Sequence, residues 1–157
     1  MRATIILLLT TLCFVGCART KDQATLRIDR TFHKPLIFQI EREGSALFLR
    51  VLVYDGLGGY DKGKVQSDTR HVLSATEAAS VRSALAAVEA STPSDPIPSG
   101  GRDGSMWEYS GSGFWPTKMK IWSPQVSTGA RGTQPLFDLG LLLWRLGKIA
   151  EPEKDLY

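Results

Sequence analysis

The stretch PLIFQIEREGSALFLRVLVY, residues 35–54, decides the fold. Successive side chains of a strand point to opposite faces, so Leu36, Phe38 and Ile40 fall on one side of an extended segment. Glu43 and Gly44 mark a turn, and Ala46 to Tyr54 continues in residues that favour pleated structure. The whole reads as a hairpin. The chain then runs into Asp55 to Gly63, where four glycines in nine residues require a loop, and Lys64 to Leu73 supplies a third strand.

Ser74 ends that strand and starts a helix. With Glu77 three residues later it forms the sequence signature of a capping box, in which each side chain satisfies an orphan backbone amide of the other residue. The helix is expected over Ala75 to Ala90, with Ala78, Val81, Leu85 and Val88 on its inner stripe and Arg82 and Glu89 outside. Ser91 to Gly104 carries three prolines and three glycines and cannot continue a regular element. Two further strands follow. Ser105 to Ser110 places Trp107 and Tyr109 on one face; Thr117 to Trp122 places Met119 and Ile121 on one face and Lys118, Lys120 and Trp122 on the other. Gly111 and Gly113 make the turn between them, and Leu136 to Ile149 is a final, nearly all-apolar helix. The expectation is an α+β fold: a single small domain, an antiparallel sheet of about five strands, and two helices on one face in the order βββαββα.

Composition agrees with that class. The 157 residues are 43% hydrophobic and 22% charged, the balance of a globular chain with one core. The net charge of +3 is not gathered into a run of Lys or Arg, which speaks against nucleic acid as a partner.

The amino terminus has a different character. Arg2 precedes an uncharged run from Ala3 to Val15, too short to cross a bilayer core of roughly 30 Å as a helix but suited to the apolar region of an export signal. At its end Phe14, Val15, Gly16 and Cys17 resemble the lipobox of bacterial lipoproteins. That resemblance implies a signal peptide over 1–16, acyl chains on Cys17, a lipidated tether over 17–24, and a membrane as partner. The globular domain would then span 25–150 and a C-terminal tail 151–157. Cys13 would leave with the signal, so the domain would hold no free thiol or disulfide. In a cell with two membranes, Ala18 after the Cys favours the outer membrane, facing the periplasm. A second resemblance covers about Gly101 to Ile149. Asp103, Gly104, Ser105, Trp107 and Glu108, then Ile121, Trp122, Ser123 and Pro124, then a helix closed by Gly147, look like a small domain of uncharacterised bacterial proteins. It implies a fold and no activity.

Motifs for chemistry are thin. Gly58, Gly63 and Lys64 have P-loop spacing, but Val65 replaces the hydroxyl residue that would reach magnesium. Gly56 and Gly58 begin a dinucleotide fingerprint, yet Asp61 stands at its third glycine. Asp55 and Asp61 lack the alternating oxygen ligands of a calcium loop, and His33 and His71 have no mature Cys to complete a zinc site. His71 and Asp68 point to opposite faces of a strand, and Ser110 and Ser112 lack the flanks of a nucleophile elbow. No cofactor or metal is therefore expected.

One cluster hints at binding. Trp107, Tyr109, Phe114, Trp115 and Trp122 crowd one hairpin, and Trp115, Lys118, Lys120 and Trp122 are the candidate binding surface, with core packing under the last helix as the competing reading. The expected function is a lipid-anchored cell-envelope protein that binds a protein or cell-wall component without catalysis. Two alternatives stand beside it: an envelope inhibitor or immunity protein against a toxin or hydrolase, and a hydrolase using His71.

Overall fold

Six strands pair into one antiparallel sheet in the computed structural model, which describes residues 21–93, 103–111, 118–126 and 128–156. They are β1 (Lys21–Arg30), β2 (Leu36–Glu43), β3 (Ala46–Tyr54), β4 (Val65–Val72), β5 (Ser105–Gly111) and β6 (Lys118–Trp122). Three helices accompany them: α1 (Ala75–Ala90), α2 (Thr128–Arg131) and α3 (Gln134–Leu146). Across the sheet the order is β4-β3-β2-β1-β5-β6. The α+β class and the single antiparallel sheet match the sequence reading. Residues 1–16, Cys17, Trp115 and Phe114 lie outside the described residues.

The expected hairpin forms, with Leu36 opposite Val53 and Glu43 opposite Ala46, so its turn falls one residue later than the sequence suggests. Its turn is the pair Gly44 and Ser45, and Gly44 sits at φ +59°, a left-handed value suited to glycine at the first position of a tight hairpin turn. Helix α1 has the expected bounds. The Ser74 hydroxyl accepts the Glu77 amide at 3.3 Å, and the Glu77 carboxylate accepts the Ser74 amide at 2.8 Å. The Ser74 backbone amide, and after it the Ser74 hydroxyl, hold the Glu77 carboxyl below the usual carboxylate range. Helix α3 begins earlier than expected, with Pro135 in its first turn, and closes at Gly147 rather than at Ile149.

Two expectations are corrected. The expected tether over 17–24 overlaps a strand: Lys21 already pairs with Arg42 and Ala24 with Gly111, so β1 begins inside it and lies at the centre of the sheet, between β2 and β5. This sixth strand accounts for the difference from about five. Within the expected tail 151–157, the described residues pack against the domain. Glu153–Leu156 is a 3₁₀ turn, and Leu156 is buried in the core.

Both long helices cover one face. Ala24, Leu26 and Ile28 of β1, Phe38 and Ile40 of β2, Leu49 and Val51 of β3 and Trp107 of β5 pack in one cluster with Val81 and Val88 of α1 and Leu136, Leu139 and Leu143 of α3. Full burial of such side chains contributes roughly 1.5–3 kcal/mol each. Contact is closest where Gly140 of α3 meets Trp107: a Cβ on Gly140 would collide with the indole ring. The ring is fixed from its other end as well, because its Nε1 donates to the Ser105 hydroxyl at 2.7 Å. Gly140→Ala should therefore destabilise the fold by about 1–2 kcal/mol, the overpacking cost exceeding the gain in helix propensity. Thermal unfolding checks this, and an unchanged or raised melting temperature would contradict the packing described.

Candidate functional site

The helix-free face of the sheet divides into two halves. Register places Arg70, Arg50, Gln39, Thr25, Ser110 and Lys118 in one row across it, and Asp68, Leu52, Ile37, Arg27, Glu108 and Lys120 in the next. Over β2 to β4 the charges neutralise one another. Arg50 grips Asp68 through two bonds of 2.8 and 2.6 Å, while Arg70 donates to Glu41 and to Glu43 at 2.7 Å each and lies 3.7 Å from the Phe48 ring centroid. The Arg50 hydrogen bond holds the Asp68 carboxyl below its usual range, and the Glu41 bond raises Arg70.

Over β1, β5 and β6 the same face forms a shallow groove of about 400 Å³, lined by Thr25, Arg27, Ile37, Ser110, Lys118 and Lys120. Alternation along β6 turns both lysines outward while Ile121 goes into the core, as the sequence predicts. Lys120 pairs with Glu108 at 3.0 Å and Arg27 with Asp29 at 2.8 Å; Lys118 has no ion-pair partner among the described residues. Trp122 lies farther along the same face. It is half-buried, and its ring packs on Gly104, so it seals a corner of the sheet rather than lining the groove. Trp115 lies outside the described residues.

The second feature gathers where β1 ends. Arg30 is fully buried and donates to the Glu151 carboxylate at 2.7 Å, the Asp155 carbonyl at 2.7 Å and the Lys34 carbonyl at 2.9 Å. Its guanidinium also lies 5.0 Å from the centroid of a Trp144 ring, whose Nε1 donates to the Glu151 carbonyl at 3.2 Å. This clasp brings His33 within 3.9 Å of Glu151 and near Asp155. Three potential metal ligands thus converge, but the Glu151 oxygen nearest His33 is the one that neutralises Arg30. The geometry is that of a structural tie. Arg30→Met should lower stability by about 3 kcal/mol, since Glu151 would lose its counter-charge. It should also speed hydrogen exchange at residues 151–156; protection unchanged from the parent would refute the clasp.

Beside the clasp, the glycine loop is closed on itself. Asp55 accepts the Lys64 amide at 2.6 Å, Asp61 accepts the Gly63 amide at 3.0 Å, and Gly58 is pressed against the Arg30 backbone so closely that no Cβ fits. Both aspartates shape the loop, and neither belongs to a metal-ligand group among the described residues. Phe32 and Tyr60 stack at its tip, their ring centroids 5.8 Å apart, with 60% and 73% of their surfaces exposed. Sequence reasoning passed over this pair because the two rings come from different loops.

His71 lies opposite Leu49 on the helix-side face of β4, and Asp68 is on the other face. The two are not brought together, as strand alternation requires. Compared with protein families, curated proteins and solved structures, the chain matches none.

The Arg50–Asp68 pair and the Ser74 cap together set an acid response. Asp68 and Glu77 lie below their ordinary values of 3.8 and 4.5 in the folded chain, so the stability they contribute is present above those values and is lost as pH falls through the folded ones. Urea midpoints should be level from pH 7 to about 5 and fall below about 4.5. Asp68→Asn should reduce that slope, and a midpoint rising on acidification would show the sign to be wrong.

Proposed function

We propose that this chain is a bacterial envelope lipoprotein, lipidated on Cys17, whose folded part is a binding module that holds an acidic segment of a partner protein in the β1, β5 and β6 groove. The groove itself carries the reading. Its floor includes the apolar Ile37, its rim carries Arg27, Lys118 and Lys120, of which Arg27 pairs with Asp29 and Lys120 with Glu108 while Lys118 supplies the net positive charge, and the helices leave it uncovered. A positive rim around a partly apolar floor complements an extended acidic peptide with apolar residues at alternate positions. The anchor reading rests on the signal-like run before Cys17 and on the lipobox resemblance. It is also supported by economy of connection: Lys21 enters a central strand four residues after Cys17, so an anchored chain would be held through a strand paired on both sides.

Catalysis has less to build on. Among the described residues Glu151 is the one carboxylate within 4.0 Å of an imidazole, and it is committed to Arg30. Binding is the reading that uses what the surface offers.

Two measurements test the proposal separately. Acyl-chain labelling in cells should mark the parent chain and not Cys17→Ser, which should leave the membrane fraction; an unlabelled parent would remove the anchor. For the groove, anisotropy of a fluorescent peptide alternating Glu and Val should report binding that weakens with salt and falls at least about tenfold in Lys118→Glu/Lys120→Glu. Binding unaffected by that double change would remove the groove.

A further inference from the structure

A second, smaller pocket of about 240 Å³ lies between the 58–62 segment and the end of β1, lined by Arg27, Asp29, Gly59, Tyr60, Asp61 and Lys62 among others. We propose that it is a saccharide site that takes one pyranose ring, with Tyr60 as the stacking surface. This goes beyond the groove proposed above, and the two share only Arg27.

Charge chooses the ligand class. Two cations and two carboxylates line the pocket, and they are largely used within the protein. Arg27 pairs with Asp29 at 2.8 Å, the Lys62 ammonium stands 4.0 Å from the Tyr54 ring centroid, and Asp61 accepts the Gly63 amide at 3.0 Å. A phosphate or a metal ion would find its counter-charges already matched. A neutral molecule rich in hydroxyls would not, because carboxylate oxygens and guanidinium edges accept from and donate to the same hydroxyl groups.

Shape agrees with charge. Tyr60 is 73% exposed and steadied by Phe32, which holds φ +64°, a left-handed value uncommon for an aromatic residue. An exposed, braced ring beside a polar pocket suits the flat C–H face of a pyranose, which stacks while its hydroxyls turn to the polar wall. The wall is preformed: Gly58 is wedged on the Arg30 backbone and Gly59 at φ +86° turns the chain over it, so little ordering remains to be done on binding.

The test uses the full chain in a sugar-free zwitterionic detergent, with cellotetraose, chitotetraose and inorganic phosphate as probes. Saturation-transfer NMR should show one oligosaccharide bound, strongest at the ring C–H protons. Calorimetry should show affinity falling about tenfold in Tyr60→Ala and in Asp29→Asn, each with an unchanged melting temperature, while Lys118→Glu leaves it alone. Binding of either sugar with that pattern supports the site and identifies the ring. Absence of transfer from both sugars, affinity surviving Tyr60→Ala, or displacement of the sugar by phosphate would overturn it.

Discussion

Arg30 carries a full positive charge to the innermost end of the central strand, and much of the molecule's irregular structure is arranged around neutralising it. A buried guanidinium is tolerated when its charge is countered and most of its donors are matched. Here the partners come from the Lys34 turn, from Glu151 and from Asp155, with the Trp144 ring alongside. The turn after β1 and the distant C-terminal segment are thereby fixed to one side chain. Arg131 repeats the device at the other end of the chain: also buried, it donates to the carbonyls of Trp122, Ser123 and Val126, and so shapes the turn that leaves β6. In both places a long cationic side chain replaces the regular hydrogen bonds that a loop cannot make for itself.

The sheet faces two different problems on its two sides. Under the helices, apolar packing is tight enough that Gly140 is needed where α3 crosses Trp107. The open side must stay wetted without inviting other sheets to pair or stack. Over β2 to β4 it does so by ion pairs, Arg50 of β3 with Asp68 of the neighbouring β4, and Arg70 of β4 reaching over β3 to Glu41 and Glu43 of β2. At the short edge strand β6 it does so with two lysines, a common guard against edge-to-edge association. The groove lies where that network gives way to a partly apolar floor.

How much of this the sequence reveals depends on the range of the interaction involved. The hairpin, the capped helix and the outward lysines of β6 are set by alternation and by bonds within three residues, and they are legible. Strand β1 is not, although Ala24, Leu26 and Ile28 alternate with polar neighbours, because Arg30 occupies what should be the next apolar position. Only Glu151 and Asp155, more than a hundred residues away, make a buried arginine acceptable there. The same distance hides the docked C-terminal segment, since Glu153–Leu156 looks like a polar tail until Leu156 is seen in the core. The small pocket is hidden for a related reason: Arg27 and Asp29 come from one strand, Tyr60 and Asp61 from a loop three elements later, and neither stretch carries a motif.

The position of β1 links the two ends of the molecule. It is bonded on both sides, to β2 and to β5, for most of its length. At about 3.3 Å per residue its ten residues separate the entry point at Lys21 from the clasp at Arg30 by roughly 30 Å. A chain anchored through Cys17 would therefore present its loops and the Phe32 and Tyr60 rings at the end away from the anchor. A pull between an anchor at one end and a ligand at the other would run along β1, loading both of its hydrogen-bond ladders in shear. An edge strand in that position would be peeled bond by bond; a central one shares the load across two neighbours, and the Arg30 clasp ties its far end to the C-terminal segment.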